Sequence, residues 1–339
     1  MKTAVVILNW NGKDMLRRYL PELIRCTNTE DTQIIVADND STDGTVAMME
    51  REFPEIRLIC LERNYGFAQG YNLALKQIES QYYILLNSDV LVTENWLLPL
   101  LGYMDSHSDV AACQPKLMDL KNPEYFEYAG GAGGYMDKWG YMFCRGRVFD
   151  TIEKDCGQYN SIADVFWATG ACLMVRSDDY WQTGGLDDRF FAHQEEIDLC
   201  WRMRSRSRRI VCIPESVVYH VGGATLNKSN PYKTFLNFRN NLLMLYKNLP
   251  EKELKKVLLV RFWLDGLAAA MFVLKFHFAD AKAVFKARRE FRRLKQSFLD
   301  SRKSNLANVS LTDIPERAGF SLLWRYHVGQ RKTYSQLVD

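Results

Sequence analysis

Several signatures that would settle the chemistry at once are missing from this 339-residue chain. Its eight cysteines stand singly, at positions 26, 60, 113, 144, 156, 172, 200 and 212. Without a C-x-x-C pair, the sequence argues against a zinc knuckle or a thioredoxin-like redox motif. No G-x-G-x-x-G follows the first strand signal, and no G-x-x-x-x-G-K-[ST] occurs anywhere, which removes the dinucleotide fingerprint and the P-loop. A strong charge of one sign is absent too. The net charge is +3, so no global field calls for nucleic acid as a partner. Apolar runs fall short of the ~20 residues that a membrane span needs. The run Ala4–Leu8 leads into Trp10-Asn11-Gly12 rather than a small-residue cleavage site, so it reads as a strand and not a signal peptide.

What is present is a chain that is 47% hydrophobic, long enough for one large core and a smaller appended unit. Cys60, Cys172 and Cys212 fall in apolar strand-like runs, which fits buried, reduced thiols of a cytosolic protein. Strand signals at Ala4–Leu8, Gln33–Ala37, Ile56–Leu61 and Tyr82–Leu86 alternate with helical stretches near Lys13–Arg25, Gly44–Glu52 and Gly66–Glu79. That alternation predicts an α/β fold, a mostly parallel sheet with flanking helices and right-handed crossovers.

Polar residues gather after each strand signal. They are Asn9-Trp10-Asn11-Gly12, then Asp38-Asn39-Asp40-Ser41-Thr42-Asp43-Gly44-Thr45, then the stretch from Arg63 to Asn72. Any one of these is ordinary turn chemistry. Three of them ending on one sheet edge, joined there by Asn87-Ser88-Asp89, mark a ligand crevice. A carboxylate set into an apolar run, as Asp89 is, requires a cation or hydrogen bonds in compensation.

Farther along, a helix is expected from Thr93 and a strand near Asp109–Leu117. Residues 118–163 show no periodicity and read as a long, aromatic-rich loop on the acceptor side. A buried strand follows at Val165–Val175, then a helix opening on Glu195-Glu196, with Asp198 and Arg202 paired at i,i+4. Two strands, Ile210–Ile213 and Val217–Val221, come next, the second carrying His220. A helix over Pro231–Leu249 precedes an apolar stretch at 254–278, interrupted by Arg261 and Asp265, which suits an interfacial helix better than a span. Lys282, Lys286, Arg288, Arg289, Arg292, Arg293 and Lys295 then form a basic face able to meet an anionic inner-leaflet surface, or equally a solvated lid or dimer interface.

Taken in order, Val6–Gly12, Val36–Thr45, Asn64–Asn72, Leu86–Asp89, Gly170–Cys172 and Glu195–Arg202 give the chain a resemblance. Over roughly residues 3–250 it resembles the family 2 glycosyltransferases of GT-A fold, and within them rhamnosyltransferase-like enzymes of bacterial surface-polysaccharide biosynthesis. The resemblance implies a Rossmann-like catalytic domain over 1–232, its nucleotide-binding half about 1–92 and its acceptor half about 93–232. Residues 233–339 would form a helical, membrane-associated region at the cytoplasmic face. It implies a dTDP- or UDP-linked sugar donor and a glycan or lipid-linked acceptor. Asn9, Asn11, Asp38, Asn64, Gly66 and Asn72 would line the donor pocket, with Arg239 near the diphosphate. Asp89, the last residue of a DxD-type motif whose first position is Asn87 here, would hold Mg²⁺ or Mn²⁺ together with His220. Glu196 stands where the family has its catalytic aspartate, with Glu195 beside it as the other candidate base. A nucleotidyltransferase on a similar sheet and a non-catalytic membrane-associated adaptor remain as alternative readings.

Overall fold

The computed structural model describes residues 1–27, 29, 31–222 and 230–338. Four strands, β1 (Thr3–Asn9), β2 (Thr32–Asp38), β3 (Arg57–Cys60) and β4 (Tyr82–Leu86), alternate with helices α1 (Lys13–Cys26), α2 (Thr45–Glu52) and α3 (Gly66–Leu75). Next come β5 (Val90–Val92), α4 (Leu97–Ser106), β6 (Val110–Asp119), β7 (Gly134–Asp137), β8 (Met142–Cys144), β9 (Arg147–Val148), β10 (Thr151–Ile152), β11 (Ala163–Asp164), β12 (Cys172–Arg176), α5 (Ser177–Gln182), α6 (Glu195–Ser205) and β13 (Arg209–His220). The last third contributes α7 (Pro231–Asn248), α8 (Glu251–Leu274), α9 (Phe278–Leu294), α10 (Leu299–Ala307), β14 (Arg317–Ala318) and α11 (Tyr334–Val338).

The main sheet has the order β11-β13-β6-β12-β4-β1-β2-β3, with β5 on β13. Strands β1 to β4 pair in parallel, as the alternation predicts. Their runs of Val, Ile and Leu are buried on both faces because helices cover both. Strand β12 is antiparallel to β4 and β6, so the sheet turns mixed in its second half.

Four expectations are corrected. Residues 118–163 are not a loop: they hold β7 to β10, which join β14 in a second sheet ordered β10-β9-β8-β7-β14. Strands of two to four residues are too brief to show a period, and the aromatics face a core in which Tyr135, Phe143 and Tyr334 stack on one another. The two strands expected at 210–221 are one, Arg209–His220, with a bulge between Ile213 and Val217. Helix α4 starts at Leu97 rather than Thr93, whose hydroxyl instead bonds the Val217 carbonyl. Cys60 is exposed, whereas Cys172 and Cys212 are buried as expected.

Residues on both sides of position 232 share one core, for Phe291, Phe298, Leu322 and Leu337 pack with the sheet's own side chains. In α8 the two charges that break the apolar run point inward. Asp265 lies 3.1 Å from Arg261 and 2.5 Å from Arg288, and Arg261 also bonds Asn241. The outward face is apolar, with Trp263 69% and Leu274 77% exposed. At 24 residues the helix is long and apolar enough to cross a membrane by length and composition, longer than the sequence suggested. Its buried ion pair nonetheless fastens it to the protein.

Helix α7 positions the site. Asn230 caps it by accepting from Tyr232 N, and Pro231 opens its first turn. Midway along, the buried Asn240 amide donates to the carbonyls of Phe190, Ala192 and His193, at 2.7–3.0 Å. That segment needs holding: Phe191, His193 and Gln194 all have positive φ, between 66° and 74°. On its other side, Gly66 N-terminal to α3 has φ +76°, and a Cβ there would lie 2.5 Å from the Phe191 ring. Replacing Asn240 by Ala takes this donor from the Ala192 and His193 carbonyls and is expected to cost about 1–3 kcal/mol. Urea unfolding should show the lowered midpoint, with faster amide exchange over 190–194. An unchanged midpoint would show that the strained segment holds itself.

Candidate active site

Strand register gathers the site residues on one edge. Asn9 is paired with Asp38, Asp38 with Cys60, and Ile7 with Leu86, so β1 to β4 end together. Antiparallel β12 begins there, with Cys172 opposite Leu86, and β13 ends there, with His220 opposite Val90. The crevice at this edge is where parallel α/β sheets hold ligands.

The three turns on this edge are laced into a ledge. The buried Asn9 donates from Nδ2 to Asp38 Oδ1 (3.3 Å), Ser41 Oγ (3.2 Å) and Thr45 Oγ1 (3.3 Å). Asp38 accepts from Ser41 N at 2.8 Å. Asn11, in a left-handed conformation, accepts from Thr42 N at 2.7 Å. Asn39 bridges to the third turn, donating to Asn64 Oδ1 (3.0 Å) and the Gly66 carbonyl (3.1 Å). Thus Asn9, Asn11, Asp38, Asn64 and Gly66 are brought together.

Asn72 and Arg239 are not in that group. The Asn72 amide donates to the Leu186 carbonyl (2.7 Å) and accepts from Tyr180 Oη (2.7 Å), which fastens α3 to the segment after α5. Arg239 donates to the Phe190 carbonyl (2.8 Å) and to Asn240 Oδ1 (2.8 Å), so its guanidinium supports the strained segment. Both side chains spend their hydrogen bonds on the fold.

Asp89 and His220 meet. Asp89 Oδ1 is 3.1 Å from His220 Nε2, and both side chains are buried. Asn87 Nδ2 lies 3.5 Å from the same nitrogen. The other ring nitrogen, Nδ1, is 3.3 Å from Glu127 Oε1, a contact that no periodicity in the sequence announced. Burial alone would lower the imidazole pKa, but the bonds to Asp89 and Glu127 outweigh it and push it up to about 10. A separation of 3.1 Å also matches two neighbouring ligands of one octahedral cation, ~2.1 Å bonds at right angles being ~3.0 Å apart. Glu127 would then orient the ring from behind, as carboxylates behind ligating histidines do. Among the described residues no cluster of three or more His, Cys, Asp or Glu could hold an ion alone, so a cation here would need ligand oxygens as well.

The acidic pair opens α6. Glu195 is 3% exposed, and burial, then the neighbouring Glu196 charge, raises its carboxyl pKa far above the usual range. Glu196 is only half buried. Burial pushes it up to about 7, partly offset by backbone N–H groups of the first turn and of Gly170. Its Oε2 has no hydrogen-bond partner. A Cβ on Gly170 would lie 3.7 Å from Glu196 Cγ, and the carbonyl of the adjacent Ala171 accepts from Asn87 N at 3.0 Å. Gly170–Ala171 therefore joins Glu196 to the Asn87–Asp89 turn. Asp198 lies deeper, held by Arg202, Lys247 and Asn248.

Known proteins share part of this sequence and this fold. Residues 4–153 match the family model described as glycosyl transferase family 2. An N-acetylglucosaminyl-diphospho-decaprenol L-rhamnosyltransferase of Mycobacterium tuberculosis is 26% identical over 238 residues, covering 64% of this chain and 75% of that protein. Among solved structures, Staphylococcus aureus TarS in complex with UDP-GlcNAc aligns with TM-score 0.56 and 15% identity, over 91% of this chain and 89% of that one. A Pyrobaculum calidifontis mannosyltransferase with GDP-Man and Mn²⁺ aligns with TM-score 0.52 and 14% identity, over 90% and 87%. On this ledge, this acidic helix start and the matched model together, residues 4–153 carry a glycosyl transferase family 2 domain, and the chain shares its fold with solved glycosyltransferases.

Proposed function

We propose that the chain is an inverting hexosyltransferase, moving a sugar from a dTDP- or UDP-linked donor to a glycan or lipid-linked acceptor of surface polysaccharide synthesis. The observation that carries this reading is the junction at Gly170–Ala171, which links a half-buried carboxylate to the turn that carries Asp89, the partner of His220. In this reading residues 1–92 hold the donor and 93–232 face the acceptor. Residues 233–339 brace the acidic segment and rest on the cytoplasmic face of the membrane through the outward side of α8. The relatives' substrates support the class of donor and acceptor.

Chemically, the acceptor hydroxyl gives its proton to Glu196 as its oxygen bonds the anomeric carbon. On the opposite face the bond from that carbon to the diphosphate breaks, and nucleoside diphosphate leaves. Glu195, kept neutral by burial, does not compete for the proton. Asp89 and His220 would hold Mg²⁺ or Mn²⁺, which supplies charge neutralisation at the leaving diphosphate. The Asn9–Asp38 ledge would orient the nucleoside.

Glu196→Gln should lower kcat by ~10²–10⁴-fold with little change in donor affinity. A crippled Glu195→Gln beside an active Glu196→Gln would reverse the assignment. The base works ionised, and its carboxyl is raised to about 7. The wild-type kcat/KM should therefore climb about tenfold per pH unit below 7 and level off above it. A plateau already reached at pH 5 would point to an ordinary, solvated carboxylate.

Asp89→Ala should keep the circular dichroism of the wild type while losing at least ~10²-fold in Mn²⁺-stimulated release of nucleoside diphosphate. Full turnover by that variant, with or without a chelator, removes Asp89 from the chemistry.

A further inference from the structure

A groove of about 560 Å³ lies between the first turn of α7 and one face of α9. Tyr232, Phe235 and Phe285 line it, and Lys282, Lys286 and Arg289 stand along its rim at i, i+4 and i+7. Tyr232 and Phe285 are exposed aromatics, 44% and 64% respectively. The three cations are exposed and have no carboxylate partner among the described residues. The nearest acids are engaged elsewhere, Glu290 with Arg293 at 2.7 Å and Asp280 with Thr234 Oγ1 at 2.6 Å. Lys286 Nζ sits 4.8 Å from the Phe235 ring centroid. Three like charges on one helix face repel one another, and an anion at the rim would relieve that repulsion.

Two further features narrow the occupant. Ala279 lines the groove, and just before it in the chain Phe278 and Phe276 face each other at 6.2 Å at the start of α9, with Phe276 80% exposed. Those apolar side chains suit a hydrocarbon chain. At the inner end, Phe235, Leu236, Ala283 and Ala287 form a small apolar cluster against which Ala192 packs, three residues before Glu195. An amphiphile seated with its anionic head at the rim would thus lie alongside the segment that carries the acidic pair.

We propose that this groove is the acceptor-lipid site: Lys282, Lys286 and Arg289 bind the diphosphate of a glycosyl-diphospho-lipid while the aromatic wall takes the first part of its chain. The assignment rests on the reading of the chain as a transferase to lipid-linked acceptors, and gives that acceptor a place.

The test uses the full chain and farnesyl diphosphate as probe, with inorganic diphosphate and phosphatidylglycerol vesicles alongside. Titration calorimetry should give a farnesyl diphosphate Kd that weakens at least ~10-fold in the double variant Lys282→Glu/Arg289→Glu. Ala279→Trp, which fills the chain end of the groove, should weaken farnesyl diphosphate and leave inorganic diphosphate unchanged. All these positions are exposed, so donor hydrolysis should match wild type in every variant. Equal farnesyl diphosphate affinity in wild type and variants overturns the site. Inorganic diphosphate binding as tightly as farnesyl diphosphate makes it a simple anion site, and binding to vesicles alone makes it a membrane contact; either result overturns the proposal. A wild-type chain that hydrolyses no nucleotide sugar yet binds the probe through these cations would defeat the transferase reading and leave the groove standing.

Discussion

A single imidazole between two carboxylates ties the active edge together. His220 faces Asp89 on one side and Glu127 on the other, at 3.1 and 3.3 Å. The three residues come from the end of β13, the turn after β4 and the segment before β7. Buried charges persist only when paired. Each of these groups therefore offsets the cost of burying the others, and in the proposed mechanism the same arrangement would hold a cation whose remaining ligands come with the substrate.

Support for the acidic pair comes from farther away in sequence. Asn240 and Arg239 on α7 bond the carbonyls of a segment whose residues hold left-handed conformations, and Asn241 bonds Gln194. Helix α8 fastens α7 in turn, through Arg261 to Asn241. The C-terminal helices are thus structural to the acidic segment. Strain next to a reactive group is held by packing remote from it.

Much of this was legible in the residues. The alternation of Val- and Ile-rich strands with helices fixed the parallel half, and the polar clusters after Asn9, Asp38 and Asn64 marked the edge. Three things were hidden. The short strands at 134–152 carry no period, so a buried second sheet looked like a loop. Glu127, just before those strands, had no pattern to single it out. Asn72 and Arg239 belonged to suggestive motifs, but their hydrogen bonds were taken by backbone groups far along the chain, which no local spacing reports. A trace of Asn240 was there to read: an Asn-Asn pair inside an otherwise apolar helix stripe, beside Leu236, Leu242 and Leu243.

Phe191 fills the space left bare at Gly66, and its carbonyl accepts from both Phe67 N (2.8 Å) and Ala68 N (3.4 Å) at the start of α3. The segment before the acidic pair is thereby joined to the first turn of α3. A displacement of the acidic segment would have to carry the start of α3 with it or break those two hydrogen bonds.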